Sequence, residues 1–279
     1  MKIDAYDLLK ASANDFAGHN IAVLGVRGYG KSNTAAVLIE EWLTAGMPVT
    51  VVDPHGEYHG LCVEHDIHWV GRHVHKQVDT ALNPSSGNKL GARVASVGNQ
   101  SVILDVSGYY PDEREEFLTG YFAGLLRVAR SRSQGIPHMI ILEESRHFVP
   151  QRGKLTPLQK DMKTYAFDGR KWGFGLVYVS QRASTINKDM LTQCSWYFLH
   201  KVKHKLDLSV YTDLIPRPPA KVKLLVSKLT PGDCLVLDPQ DRVIQHRIRK
   251  RTTPHYGHTP TLEAVPADGQ LSFDGLLQE

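Results

Sequence analysis

The sequence predicts an α/β protein in which a mostly parallel sheet is flanked by helices and followed by a C-terminal β-hairpin. Three observations carry this. Apolar runs of strand length recur at 21–25, 49–53, 101–106, 139–143, 175–180 and 196–201, with helix-like stretches between them, the alternation of a parallel sheet covered on both faces. Several runs are apolar at consecutive positions, as burial on both faces requires. Polar residues close the runs, so that Gly25, Asp53, Glu143 and Gln181 line one edge, where open α/β sheets bind ligands.

The first run leads into Gly25-Val26-Arg27-Gly28-Tyr29-Gly30-Lys31-Ser32, which fits G-x-x-x-x-G-K-[ST] at every fixed position and precedes a helix predicted from Ser32 to Thr44. Glycines let successive N–H groups turn inward around a phosphate at the positive end of a helix. Lys31 then reaches the β- and γ-phosphates and the Ser32 hydroxyl holds Mg²⁺. The expected ligand is ATP, bound by Gly25, Arg27, Gly28, Tyr29, Gly30, Lys31, Ser32 and Asn33. After the second run, Asp53-Pro54 initiates a turn, and Glu57 is expected to line the nucleotide site or a subunit contact. The histidines at 55, 59, 65, 68, 73 and 75 match no zinc spacing and read as an exposed strand edge. His138-Met139-Ile140-Ile141-Leu142-Glu143-Glu144 is a buried strand ending in two acids. One reading makes Glu143 a support for Mg²⁺ and Glu144 the group that orients the attacking water; the other is the acidic first turn of a helix. Paired with the phosphate loop, the first is preferred.

Pro216-Arg217-Pro218-Pro219 marks a break, and 234–237 with 243–248 form the hairpin around a turn at 238–241. Arg247, Arg249, Lys250 and Arg251 at its end suit three roles equally: binding DNA phosphates, a second arginine acting across subunits, or keeping a sheet edge from aggregating. Lys201, Lys203 and Lys205 form another basic stretch, which a solvated helix start explains as well.

At 279 residues, 42% hydrophobic and 22% charged, the chain is an ordinary globular protein able to bury a sizeable core. Its formal net charge of +4 is compatible with nucleic acid but too small to argue for it. Cys62, Cys194 and Cys234 have no paired spacing, which argues against a disulfide framework or zinc site and for a reducing, cytoplasmic setting. No segment approaches the roughly 18 apolar residues of a membrane span, so membrane contact would need a partner.

The strings 18–25, 30–34 and Asp53-Pro54-His55-Gly56-Glu57-Tyr58 resemble the HerA branch of the HerA/FtsK ATPases. The resemblance continues, in family order, through 104–108, 143–150, Gly169-Arg170-Lys171-Trp172-Gly173 and Val179-Ser180-Gln181-Arg182. It implies a RecA-like P-loop NTPase core over 18–251, with an N-terminal arm at 1–17 and a C-terminal extension at 252–279. It further implies a ring-forming, hexameric ATPase that uses ATP and Mg²⁺ to move double-stranded DNA. In that resemblance Arg170 reaches the neighbouring subunit's γ-phosphate, Gln181 senses the phosphate, and Lys31 and Glu144 complete the catalytic set. From the residues alone, Arg170 reads as a surface cation beside Lys163 and Lys171, and Gln181 as a polar strand end. Glu143 stands where many relatives have Asp, and Ser145 where Ala is common; neither should abolish the chemistry. Such helicases usually carry an N-terminal β-barrel, whereas residues 1–19 alone precede the first run, so a bare motor domain is expected. The alternative is an ATP-gated switch serving a nuclease or defence complex.

Overall fold

The strands at the centre of the sheet are apolar at consecutive positions because both faces are covered. In β1 (Asn20–Leu24), Ala22 and Leu24 enter one hydrophobic cluster while Ile21 and Val23 enter the other. The structure, a computed structural model, describes residues 13–72 and 78–257. Its elements are α1 (Ala13–Phe16), β1, α2 (Lys31–Thr44), β2 (Val49–Asp53), β3 (His68–Gly71), β4 (Thr80–Ala81), α3 (Gly87–Val97), β5 (Val102–Asp105), α4 (Pro111–Arg130), β6 (His138–Leu142), α5 (Pro157–Asp168), β7 (Phe174–Ser180), α6 (Lys188–Leu191), β8 (Cys194–Leu199), α7 (Lys205–Leu214), α8 (Pro219–Lys228), β9 (Asp233–Leu237) and β10 (Val243–Arg247).

The ten-stranded sheet runs β10-β9-β8-β1-β7-β6-β2-β5-β3-β4. β8 through β4 are mutually parallel, and the predicted hairpin, β9 with β10, adds two antiparallel strands at one end. The architecture is the predicted RecA-like α/β core. Two strands escape the sequence pattern. β3 has an exposed first residue and β4 is two exposed residues long, too short for a period to show. Helix starts follow local chemistry: α4 opens with Pro111 and the acids Asp112 and Glu113 and closes with Arg127 and Arg130, matching the helix dipole.

α2 covers one face with α1, whose Phe16 packs on Trp42 and Trp196; most of the remaining helices cover the other. The segment after β10, which from residue 252 onward is the predicted C-terminal extension, packs across the α2 face at least as far as residue 257. Arg249 pairs with Glu40 at 2.6 Å and Glu41 at 2.7 Å, the Thr253 N–H and hydroxyl donate to Glu40 at 3.0 and 2.8 Å, and the Tyr256 ring stacks on His59, which stacks on Trp69. Burial opposes ionisation of Glu40, but the bonds from Thr253 and Arg249 outweigh it and hold the carboxyl below its usual range. Residues 1–12 of the predicted arm, His73 and His75, and 258–279 of the extension lie outside the described residues.

Candidate nucleotide-binding site

The loop Gly25–Ser32 leaves the C-terminal end of β1 and runs straight into α2, as its sequence requires. Gly25 has φ +151°, and a Cβ there would lie 2.5 Å from the Cβ of His200, so only glycine lets the loop pass the end of β8. Gly30, at φ +101°, turns the chain into α2. The Gly25 and Val26 N–H groups are anchored on the carbonyls of Ser180 (3.2 Å) and Lys201 (2.9 Å). The first N–H groups of α2 have no carbonyl one turn earlier and point toward the loop's concavity. Lys31 is buried and its ammonium donates to the Val26 carbonyl at 3.2 Å. Burial lowers its pKa, while Glu143 and Glu144 act to raise it.

The sheet order sets β7 between the loop strand β1 and the acid strand β6, so Gln181, just past β7, stands between them. Glu143 and Glu144 are both buried but differ in surroundings. The Glu143 carboxylate accepts the Tyr58 hydroxyl at 2.6 Å; burial pushes its pKa up to about 8, opposed by the Tyr58 bond and by Lys31. Glu144 adopts the left-handed conformation, φ 50° and ψ 48°, uncommon for a non-glycine residue. That turn breaks the strand alternation and carries its carboxylate to Gln181, whose amide donates to it at 2.6 Å; Arg146 lies 3.7 Å away. Val26, Arg27, Glu144, Arg146, Gln181 and Arg182 line a cavity of about 150 Å³. The oxygen-only pair Ser32 and Glu143 suits Mg²⁺, which takes a few protein oxygens and completes its shell with phosphates and water. A carboxyl buried deeply enough to resist ionising is also one that a cation would hold charged.

The remaining predicted residues fall elsewhere. Arg170 lies in the turn Gly169–Trp172 before β7, against Gly18. It sits at the opposite edge of the sheet from Lys31, separated from Gln181 by the seven residues of β7, roughly 20 Å of strand. The Asn33 side chain bonds the Arg249 carbonyl at 2.7 Å and the Arg251 N–H at 3.0 Å, which turns it toward the C-terminal segment. Glu57 faces that segment too, beside Gly257. Of the basic hairpin end, Arg247 pairs with Asp233 at 2.9 Å, Arg249 with Glu40 and Glu41 as above, and Arg251 bonds Thr253 at 3.0 Å. These arginines bind their own chain, a use outside the three weighed from sequence.

Three residues support this site, and of them Asp53 was expected at this edge as the start of a turn. Asp53 is fully buried and accepts the N–H groups of His55, Gly56 and Tyr58 at 3.1, 2.8 and 2.9 Å, which closes the loop that presents Tyr58 to Glu143; burial lifts its pKa to about 6. Tyr58 was visible only as part of the Asp53–Tyr58 string. His200 bonds Thr34 of α2 and the Asp233 carbonyl, each at 2.9 Å, bracing the phosphate-loop helix against β9, and burial lowers its pKa to about 4.

Comparison with known proteins finds relatives of part of the sequence and of the fold. Residues 9–83 match the family model "Helicase HerA, central domain". A probable helicase of Methanocaldococcus jannaschii is 22% identical over 287 aligned positions, covering 71% of this chain and 56% of the relative. The DNA double-strand break repair helicase HerA of Pyrococcus furiosus is 33% identical over 34% of this chain and 16% of its own length. The chain thus spans about half of the first relative and a small part of the second. Among solved structures, the genome packaging NTPase B204 of Sulfolobus turreted icosahedral virus 2, in complex with AMPPCP, superposes with a TM-score of 0.57 at 15% identity over 83% of this chain and 98% of that one. The bacterial conjugative coupling protein TrwB superposes at 0.60 and 10% identity over 90% and 94%. The chain is thus similar to the HerA/FtsK-type P-loop ATPases, in sequence over residues 9–83 and in fold over most of its length.

Proposed function

We propose that this chain is the motor domain of a ring-forming, hexameric ATPase that couples ATP hydrolysis to translocation of double-stranded DNA. The observation that carries the reading is the Glu144–Gln181 pair beside the phosphate loop. A carboxylate held by a strained turn, bonded to an amide that can also meet a γ-phosphate, is built to take a proton from an attacking water. Lys31 and the loop N–H groups bind the phosphates, and Ser32 and Glu143 would hold Mg²⁺, which would supply positive charge against the phosphoryl oxygens. Water attacks the γ-phosphorus, its proton passes to Glu144, and the bond to the ADP oxygen breaks.

What supports a site finished at a subunit boundary is the placement of Arg170 in the turn before β7, at the opposite edge of the sheet from the phosphate loop. Arg170, on the far edge, then serves a neighbour's nucleotide. The DNA cargo rests on the names of the relatives: a repair helicase, a genome packaging NTPase and a conjugative coupling protein.

The test is ATP turnover by the full chain at low salt, alone, with duplex DNA and with single strands, Lys31→Ala providing the blank. Strong stimulation by duplex supports the motor. Lys31-dependent turnover indifferent to nucleic acid contradicts it and favours an ATP-gated switch with a nuclease partner.

A further inference from the structure

We infer that α7, α8 and the segment entering α7 form the surface on which a nucleic-acid backbone lies, its phosphates meeting Lys203, Lys205, Arg217, Lys221, Lys223 and Lys228. The inference rests on the DNA-handling reading above and says where on the chain the DNA is held. All six side chains are exposed. Unlike the arginines at 247–251, none of the six makes a hydrogen bond or ion pair among the described residues. Acids within 203–228 are Asp207 and Asp213, and Asp207 is fully buried, paired with Arg182 at 2.9 Å and bonded by Ser184. The face therefore keeps nearly all of its positive charge.

The fold brings these cations together. α7 and α8 pack on each other, and the Lys201 ammonium donates to the Ser227 carbonyl at 2.9 Å, holding the segment that carries Lys203 and Lys205 against the C-terminal end of α8, beside Lys228. On α8, Val222 and Val226 are buried, which leaves Lys221, Leu224 and Lys228 sharing an outer face at helical spacing. Ten residues of α8 extend about 15 Å, roughly the rise of four to five base pairs.

The chemistry favours a phosphate backbone over an acidic protein. Lysine is depleted in protein–protein interfaces but supplies five of these six cations. The stretch contains no Asn or Gln, and its one tyrosine, Tyr211, is buried, so it offers neither an amide to read adenine nor a ring to stack on a base, and its lysines, spread over two helices, suit phosphates. Binding should therefore be indifferent to sequence. The surface also adjoins the nucleotide site at two points: Lys201 lies 5.8 Å over the Tyr29 ring of the phosphate loop, and Arg182, next to Gln181, is the partner of Asp207 on α7.

The experiment is fluorescence anisotropy of the full chain with labelled duplexes of two unrelated sequences, titrated across salt. For wild type, K203A/K205A/K221A/K223A, the matching four Lys→Arg changes, and a control K89A/K154A/K160A/K163A, melting temperatures are checked first. The inference expects the first variant, melting like wild type, to bind both duplexes at least ~10²-fold more weakly at low salt. Its slope of log affinity against log salt should be shallower by about 3 to 4, at ~0.9 for each phosphate that the protein ceases to neutralise, while the arginine set and the control retain the wild-type slope. A well-folded alanine variant with the wild-type slope overturns the inference and leaves the face to an acidic protein. Wild type that binds no duplex at any salt overturns the DNA-handling reading itself, a result distinct from the first.

Discussion

The two edges of the one sheet contrast sharply. At the C-terminal edge the phosphate loop, Glu143, Glu144 and Gln181 converge within a few side chains of one another. At the N-terminal edge lie Arg170 and a cavity of about 340 Å³ of mixed lining, with Asn14 and Asn99 beside Met47, Pro48, Ile136 and Pro137. The first edge holds what a single chain needs to bind a triphosphate and activate water. The second holds Arg170, the cation proposed above to serve a transition state, on the wrong side to reach the site of its own chain. Such a division suits a ring, in which one subunit's far edge faces the next subunit's site.

The comparison breaks first at Lys31. Lys31→Ala removes the buried ammonium between the loop and both acids, and ATP turnover should fall to background with nucleotide binding weakened, measured by phosphate release and a fluorescent ATP analogue. Glu144→Gln should keep nucleotide affinity while turnover drops ~10²- to 10⁴-fold, the usual contribution of a general base; a fully active variant removes the assignment. Tyr58→Phe deletes the hydroxyl at 2.6 Å from Glu143. Losing one hydrogen bond to a charged group, about 1.5 kcal/mol, should slow turnover roughly tenfold and raise the Mg²⁺ concentration needed for half-maximal rate.

The smallest effect is on stability. Burial raises the Glu143 pKa from 4.5 to about 8, so the folded chain holds a proton that the unfolded chain has released, and this favourable contribution is lost as pH rises through that window. Without nucleotide or Mg²⁺, Glu143→Gln should melt close to wild type near pH 4.5 and progressively above it up to about pH 8, where the gap levels off. A constant gap across the range would contradict the buried, protonated carboxyl.

What could be read in advance was what is local in the chain. The phosphate loop is eight consecutive residues and the acid strand seven, and both stand where periodicity and spacing predicted. Tyr58 meets Glu143 across 85 positions and His200 meets Thr34 across 166, contacts that no window of sequence contains. The two basic stretches show the same limit. Arg249 looked available for DNA and is bound to Glu40 across 209 positions, whereas Lys203 and Lys205, explained from sequence as a solvated helix start, keep their charge unpaired. Pairing depends on which helix the fold lays alongside, and the final segment reaches α2 only through the tertiary fold.

The central claim, a site built on one edge and finished by the far edge of a neighbour, is tested most directly by mixing two inactive variants. Arg170→Ala keeps an intact loop and acids but lacks the finger, and should lose ~10³- to 10⁵-fold in turnover; Lys31→Ala keeps the finger but lacks the loop lysine. Mixed subunits should recover a substantial fraction of wild-type turnover, because some boundaries then pair an intact loop with an intact Arg170. Turnover that stays at the sum of the two separate variants, or Arg170→Ala that is fully active alone, would contradict the account.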